Sequence, residues 1–296
     1  MPLWYNEGNL QKGGAVMSAT VTKNDIMKTC AELGLKSDDT VIIHSSMKSF
    51  GYVEGGPVAV IEAFREVLSE GTLCFPALRQ NDFGNSYKNW DINNTPSDVG
   101  LLSETFRKYP GVLRSNQETH SVTAIGANAE FITSAHSSGK PRVCLYGEYA
   151  FSYTSPWQRI CDLGGKVVFI GVELKYNTMK HLVESTVVTD ILDSIEDEKV
   201  RAEAYGEVAN CFAVPRRGAD AKGRPAGFWF WYSGEKMQEF FEKKGLIKTA
   251  YCGDSKIMCI DAKAFRDEWY NQLRYNYEEW MPTEEYFLSW LKRFAK

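Results

Sequence analysis

The 296-residue sequence has no apolar run long enough to cross a membrane, and its first residues lack the apolar core of a secretory signal. Its seven cysteines are an odd number without a CxxC pair, so they do not form a disulfide framework. Its formal net charge of −4 argues against nucleic acid as the main partner. These absences predict a cytoplasmic protein with reduced cysteines and with neither a nucleic-acid nor a membrane partner.

Several catalytic signatures are also missing. The sequence has neither a Walker A motif nor GxGxxG, which disfavours mononucleotide and Rossmann-type dinucleotide binding. It has no Gly-x-Ser-x-Gly elbow, which disfavours a serine hydrolase. No further Cys, His or Asp stands at metal-ligand spacing from the histidines and Glu184, so no metal cofactor is expected.

The composition, 44% hydrophobic and 24% charged, is typical of a soluble globular protein with ample core. Strand-like runs alternate with helical spacing, which predicts an α/β fold with a mostly parallel central sheet, flanking helices and a smaller mixed C-terminal portion. We expect an N-terminal arm over 1–20, a domain over 21–274 whose character changes near 195, and an aromatic helical tail over 275–296. Strands are predicted at Thr40–His44, Gly71–Pro76, Thr119–Gly126, Val167–Ile170, Ala209–Val214 and Lys256–Ile260.

The stretch 164–184 is the strongest candidate for a site. A buried-type strand at Val167–Ile170 is followed by a short loop and by the start of a helix. Open α/β sheets place their ligands at such strand-to-helix connections. His181 and Glu184 are three residues apart, one turn along the same helix face, which suits a general base and its orienting carboxylate. A surface or capping contact between the two remains the alternative.

Other candidate site residues lie at the ends of two further predicted strands. Backbone N–H groups and hydroxyls of His44-Ser45-Ser46, ahead of the turn Gly55-Gly56-Pro57, suit a phosphate or a carbonyl oxygen. The alternative for that turn is a simple strand-to-helix connection. His120 stands at a strand start, where a structural hydrogen bond is the alternative to catalysis, and His136 is interpreted as surface or structural.

Four segments together resemble one known family. They match the aminoglycoside N3-acetyltransferases in order and spacing, strongly over residues ~22 to ~190 and weakly beyond. The matching segments are His44-Ser-Ser-Met-Lys-Ser-Phe-Gly-Tyr-Val-Glu-Gly-Gly-Pro57, Trp90–Glu104, Arg114-Ser-Asn-Gln-Glu-Thr-His-Ser-Val122 and Gly165–Asn177 with Asn177-Thr-x-x-His181-x-x-Glu184. Four long motifs in register are more specific than any one of them.

The resemblance implies an acetyl-CoA-dependent N-acetyltransferase acting on the 3-amino group of aminoglycosides, with an α/β fold distinct from that of the GNAT enzymes. His181 matches the family's catalytic histidine and Glu184 its nearby carboxylate. His120 would lie near the thioester and is expected to take part in catalysis. The residues implied for acetyl-CoA binding are Ser45, Ser46, Met47, Gly55, Gly56 and Thr119.

The acceptor side is less clearly matched. Asp82, Asp91 and Asp193 are expected to attract a polycationic sugar, although a solvated helix face is the alternative for the acidic run that contains Asp193. The sequence departs from the family at Glu118, over 149–154 and over the aromatic segment 228–232. Two alternatives therefore stay open: the same chemistry on another small amine, such as an amino-phosphonate or an amino sugar, and a CoA-binding protein without catalysis. The expected partner is a small-molecule amine, and a homodimer stays open.

Overall fold

The computed structural model describes residues 20–79, 89–213, 230 and 232–280. Most of the expected N-terminal arm, Asp82, most of the aromatic segment and the tail beyond residue 280 lie outside these ranges. The strands are β1 (Thr40–Ser45), β2 (Thr72–Pro76), β3 (Leu113–Arg114), β4 (Val122–Gly126), β5 (Lys166–Ile170), β6 (Lys248–Cys252) and β7 (Ser255–Asp261). The helices are α1 (Lys23–Glu32), α2 (Gly56–Val67), α3 (Leu101–Arg107), α4 (Ala129–Thr133), α5 (Pro156–Asp162), α6 (Met179–Asp193), α7 (Glu198–Ala213), α8 (Gly234–Lys243) and α9 (Ala262–Tyr275).

All seven strands belong to one sheet in the order β3-β4-β2-β1-β5-β7-β6. The α/β class is therefore confirmed, but the expectation of a mostly parallel sheet was wrong. Among the strands of the described ranges, β1 alone takes part in parallel pairings, with β2 and with β5. The other four pairings are antiparallel. A strand buried on both faces is an apolar run whichever way it points, so its pattern does not encode its direction.

The predicted strand at Ala209–Val214 was also wrong. Residues up to Ala213 continue α7, which begins at Glu198. A short apolar run fits a strand or a buried helical segment equally well, and here the helix that precedes it continues through the run. Two strands were not predicted, because neither has a strong pattern of apolar residues in the sequence. β3 has only two residues, and β6 is a partly exposed strand at the edge of the sheet.

The helices lie on both faces of the sheet. Along β1, Val41 and Ile43 face a core formed with α1, α2 and α3, whereas Ile42 faces a second core formed with α5, α6 and α9. This alternation follows from the two-residue period of a strand. The helix after β1 (α2) and the helix after β5 (α6) therefore cover opposite faces. Adjacent parallel strands whose connections diverge in this way leave a crevice at their carboxyl ends.

The start of the described chain shows how local sequence sets an element. Thr22 accepts a hydrogen bond from the backbone N–H of Asp25, and the Asp25 carboxylate accepts one from the backbone N–H of Thr22. This capping box satisfies two N–H groups that α1 would otherwise leave unpaired. Gly34 follows the helix with φ +76°, a conformation that other residues rarely adopt. In the described ranges no helix has the length and apolar character needed to span a membrane.

Candidate active site

A cleft of about 760 Å³ opens at the carboxyl ends of the three parallel strands. His44 and Ser45 line it from the end of β1, and Pro76 lines it from the end of β2. Val172 follows β5, and His181 lies in the first turn of α6. The cleft thus occupies the crevice that the diverging connections of β1 and β5 create.

The predicted pair of His181 and Glu184 is formed. The distance from His181 Nδ1 to Glu184 Oε2 is 2.7 Å, and Glu184 is 1% exposed. An ionised carboxylate only accepts hydrogen bonds, so Nδ1 carries the hydrogen and Nε2 has a lone pair in the neutral ring. The His181 side chain is 20% exposed and lines the cleft. Such an arrangement, a histidine held in one tautomer by a buried carboxylate, is suited to a general base.

Aromatic and polar groups surround the Nε2 edge of the His181 ring. The Tyr146 hydroxyl is 3.4 Å from His181 Nε2. The His120 ring lies 4.6 Å from the Tyr146 ring and 6.3 Å from the His181 ring, measured between centroids. The Thr119 hydroxyl is 2.8 Å from His120 Nδ1 and donates to the Tyr146 carbonyl oxygen at 3.0 Å. The structure therefore brings Thr119 and His120 beside the predicted base.

Two buried polar atoms of cleft-lining residues have no hydrogen-bond partner among the described residues. They are His44 Nε2 and Asn177 Nδ2. The Asn177 side-chain oxygen accepts from the backbone N–H of Met179 at 3.0 Å, which fixes the amide so that its NH₂ group is the unpaired end. Burial, together with the nearby Lys180 charge, lowers the pKa of His44 to about 3, so this ring is neutral near pH 7. Unpaired buried donors are costly, and a bound ligand can satisfy them.

Lys180 places a cation in the first turn of α6. Its ammonium group donates to the Lys175 carbonyl oxygen at 2.6 Å, and both lysines line the cleft. Burial lowers the pKa of Lys180, whereas the Glu184 charge raises it. A cation in the first turn of a helix opposes the helix dipole, which is the sequence signal that could have identified Lys180. Asp98, in the matching segment Trp90–Glu104, is the cleft-lining carboxylate in the described ranges.

Five other residues are expected to bind acetyl-CoA: Ser45 ends β1, and Ser46, Met47, Gly55 and Gly56 follow it. Within the described ranges only Ser45 of the five lines the cleft. The Ser46 N–H donates to the Ile170 carbonyl oxygen at 2.8 Å, and Met47 opens a short 3₁₀ helix. Gly55 and Gly56 start α2 with φ of +77° and +59°.

Two of the carboxylates expected to attract the acceptor, Asp91 and Asp193, lie within the described residues and do not line the cleft. Asp91 accepts hydrogen bonds at 2.8 Å from two backbone N–H groups of its own turn. Asp193 lies 3.5 Å from the Lys140 ammonium group. It ends α6, about 18 Å along the helix axis from His181. Asp82 lies outside the described residues, and the assignment of all three to acceptor binding stays a prediction.

Sequence comparison identifies related proteins. The sequence model of aminoglycoside 3-N-acetyltransferases matches residues 42–274. The SPbeta prophage-derived aminoglycoside N(3')-acetyltransferase-like protein YokD of Bacillus subtilis (strain 168) is 32% identical over 184 residues, 55% of this chain and 64% of that protein. Aminoglycoside N(3)-acetyltransferase VII of Streptomyces paromomycinus is 30% identical over 183 residues, 56% of this chain and 60% of that protein. The chain thus matches less than two thirds of the length of these curated relatives.

Structural comparison shows the same fold. The solved structure described as AAC-IIIb binary with CoASH has a TM-score of 0.64 to this chain at 19% sequence identity. The match covers 90% of this chain and 100% of that chain. A likeness at this identity establishes the architecture of the sheet and its helices.

Proposed function

Because the chain belongs to the aminoglycoside 3-N-acetyltransferase family, we propose that it transfers an acetyl group from acetyl-CoA to the 3-amino group of an aminoglycoside. The observation that carries this proposal is the cleft-lining His181, whose Nδ1 lies 2.7 Å from the buried Glu184 carboxylate. The CoASH complex of a protein with this fold supports the choice of acetyl donor.

The cleft suits acetyl-CoA in size and in hydrogen-bonding capacity. Its volume of about 760 Å³ lies within the range of small-molecule sites. Asn177 would donate to an oxygen of the bound group, and the neutral His44 ring would offer a second polar contact. Lys175 and Lys180 would attract its phosphates. When bound, acetyl-CoA supplies a thioester carbonyl that an amine attacks, with the thiolate as the leaving group.

His181 would act as the general base. An amine is mostly protonated near neutral pH, and it must lose a proton before or during its attack on the thioester. In the tautomer that Glu184 holds, His181 Nε2 has the lone pair that accepts this proton, directly or through water. Glu184 then stabilises the imidazolium. We expect Asp98 to contact an ammonium group of the acceptor, because it is a carboxylate at the same cleft.

A cytoplasmic location belongs to the same proposal. The six cysteines of the described residues are free thiols, and burial raises the pKa of four of them, Cys30, Cys144, Cys161 and Cys259, to between about 11 and 12. Buried free thiols of this kind are typical of proteins from a reducing compartment.

The test is thiol release from acetyl-CoA in the presence of several aminoglycosides, followed by NMR identification of the acetylated nitrogen. We expect release with at least one aminoglycoside and a product acetylated at the 3-amino group. Release only with an amino-phosphonate or an amino sugar would overturn the acceptor and keep the reaction. Binding of acetyl-CoA without release on any amine would overturn the activity.

Substituting alanine for Asn177 is expected to weaken acetyl-CoA binding about tenfold, since one lost ligand hydrogen bond corresponds to roughly 1.4 kcal/mol. The dissociation constant can be measured by isothermal titration calorimetry without turnover. Asn177→Ala also removes the side-chain oxygen that accepts from the Met179 N–H at the start of α6. The matched control is Thr22→Ala, which removes a similar side-chain acceptor at the start of α1. An unchanged dissociation constant in Asn177→Ala would remove Asn177 from the acetyl-CoA site.

A further inference from the structure

The buried carboxylate of Glu184 has a second partner. Its Oε2 accepts from His181, and its Oε1 accepts from the Tyr232 hydroxyl at 2.6 Å. The Tyr232 oxygen in turn accepts from the Trp269 indole N–H at 3.3 Å. Trp269 is fully buried on α9, so its N–H is held in place by the core. A chain of three hydrogen bonds therefore joins α9 to the predicted base.

Tyr232 is suited to be a permanent donor. Burial, followed by the neighbouring Glu184 charge, raises the pKa of its hydroxyl well above the usual 10. The hydroxyl therefore keeps its hydrogen throughout the pH range in which the protein works. Tyr232 lies in the aromatic segment where the sequence departs from the family that it resembles, so the shared motifs did not point to it.

We infer that Tyr232 is a positioning residue that fixes the Glu184 carboxylate and lowers the proton affinity of the His181–Glu184 pair. This inference rests on the proposed role of His181 as the base. A hydrogen bond to the charged form of a carboxylate stabilises that form and weakens the carboxylate as a proton acceptor. Without the Tyr232 hydroxyl, Glu184 would hold the imidazolium, or the proton itself, more tightly. Both effects raise the pH at which the pair becomes free to accept a proton from the amine.

Other titratable groups also face this pair and remain in place when the hydroxyl is removed. Lys180 lies beside His181 on α6 and interacts with Glu184. Three groups come from other elements. They are Tyr146 and Cys144 from the segment before α5, and His120 from the segment before β4.

The test measures the pKa of His181 by NMR titration of the imidazole nitrogens in the ligand-free protein. Replacing Tyr232 with phenylalanine is expected to raise this pKa by about one pH unit. The acid limb of kcat/KM should move upward by the same amount, a change that a purely structural role would not produce. Tyr270→Phe is the matched control, because its hydroxyl donates at 2.9 Å to Asp190 on the same helix. Asp190 lies about 14 Å along α6 from His181, so no shift is expected there.

A second variant covers the case in which Tyr232→Phe does not fold. Incorporation of 3-fluorotyrosine at position 232 keeps the ring shape and makes the hydroxyl a stronger donor, so the His181 pKa should fall. An unchanged pKa in a folded Tyr232 variant would overturn the inference and leave the proposed function intact. A shifted pKa in an enzyme that acetylates no amine would uphold the coupling and overturn the proposed function.

Discussion

Replacing His181 with alanine is expected to lower kcat for acetyl transfer by about 10²- to 10⁴-fold, the usual contribution of a positioned general base. The variant keeps the cleft and the proposed acetyl-CoA contacts, but it loses the lone pair of Nε2 in the ring that Glu184 orients. Because the lost interaction acts in the transition state, we expect kcat to fall much more than the KM for acetyl-CoA changes. Steady-state assays of thiol release measure kcat and the KM for acetyl-CoA.

The pH dependence of the same variant separates a missing base from a damaged site. Without His181 the amine must lose its proton to solvent, so the residual rate should climb with pH toward the pKa of the amine. Added imidazole should restore part of the rate at neutral pH. His136→Gln is the control, since His136 is also buried and hydrogen-bonded, to Ser115 and to the Ala150 carbonyl oxygen. Unchanged kcat in His181→Ala would contradict the proposed mechanism.

The part of the site that the sequence predicted rests on short-range relations. His181 and Glu184 are three residues apart on one helix, so their contact follows from helix geometry once the helix is recognised. The position of His44 and Ser45 at the cleft follows in the same way from the end of a buried strand. The capping box of Thr22 and Asp25 at the start of α1 likewise joins residues three apart.

The rest of the site depends on contacts between distant parts of the chain. Tyr232 reaches Glu184 across 48 positions, and Tyr146 reaches His181 across 35. No periodic pattern encodes such pairs, because they depend on how α6, α8 and the segment before α5 are arranged around the sheet. Strand direction was missed for a related reason: β4 and β7 join the sheet antiparallel to their neighbours, which only the course of the intervening chain decides.

Acidification from pH 7.5 to pH 5 is expected to lower the free energy of unfolding by about 4 kcal/mol through two buried histidines. Burial lowers the pKa of His44 to about 3 and that of His136 to about 4. In the unfolded chain both titrate near 6.5. Below pH 6.5 the unfolded state therefore binds two protons that the native state does not bind. At pH 5 each histidine contributes roughly 2 kcal/mol of lost stability, at about 1.4 kcal/mol per pH unit.

Urea denaturation at several pH values measures this loss, and His136→Gln tests its origin. The glutamine variant removes one of the two titrations, so its free energy of unfolding should fall by about 2 kcal/mol less than that of the wild type over the same interval. The interval stops at pH 5 because interactions with Arg107 and Lys108, outweighing burial, lower the pKa of Glu104 to about 2. The ionised Glu104 carboxylate therefore stabilises the fold, and this stabilisation is lost only as the pH falls below the unfolded-state pKa of 4.5. Above pH 5 the measured loss thus comes from the histidines. If the wild type and His136→Gln lose the same free energy of unfolding between pH 7.5 and pH 5, native His136 accepts a proton in this interval and the predicted origin of the loss is wrong.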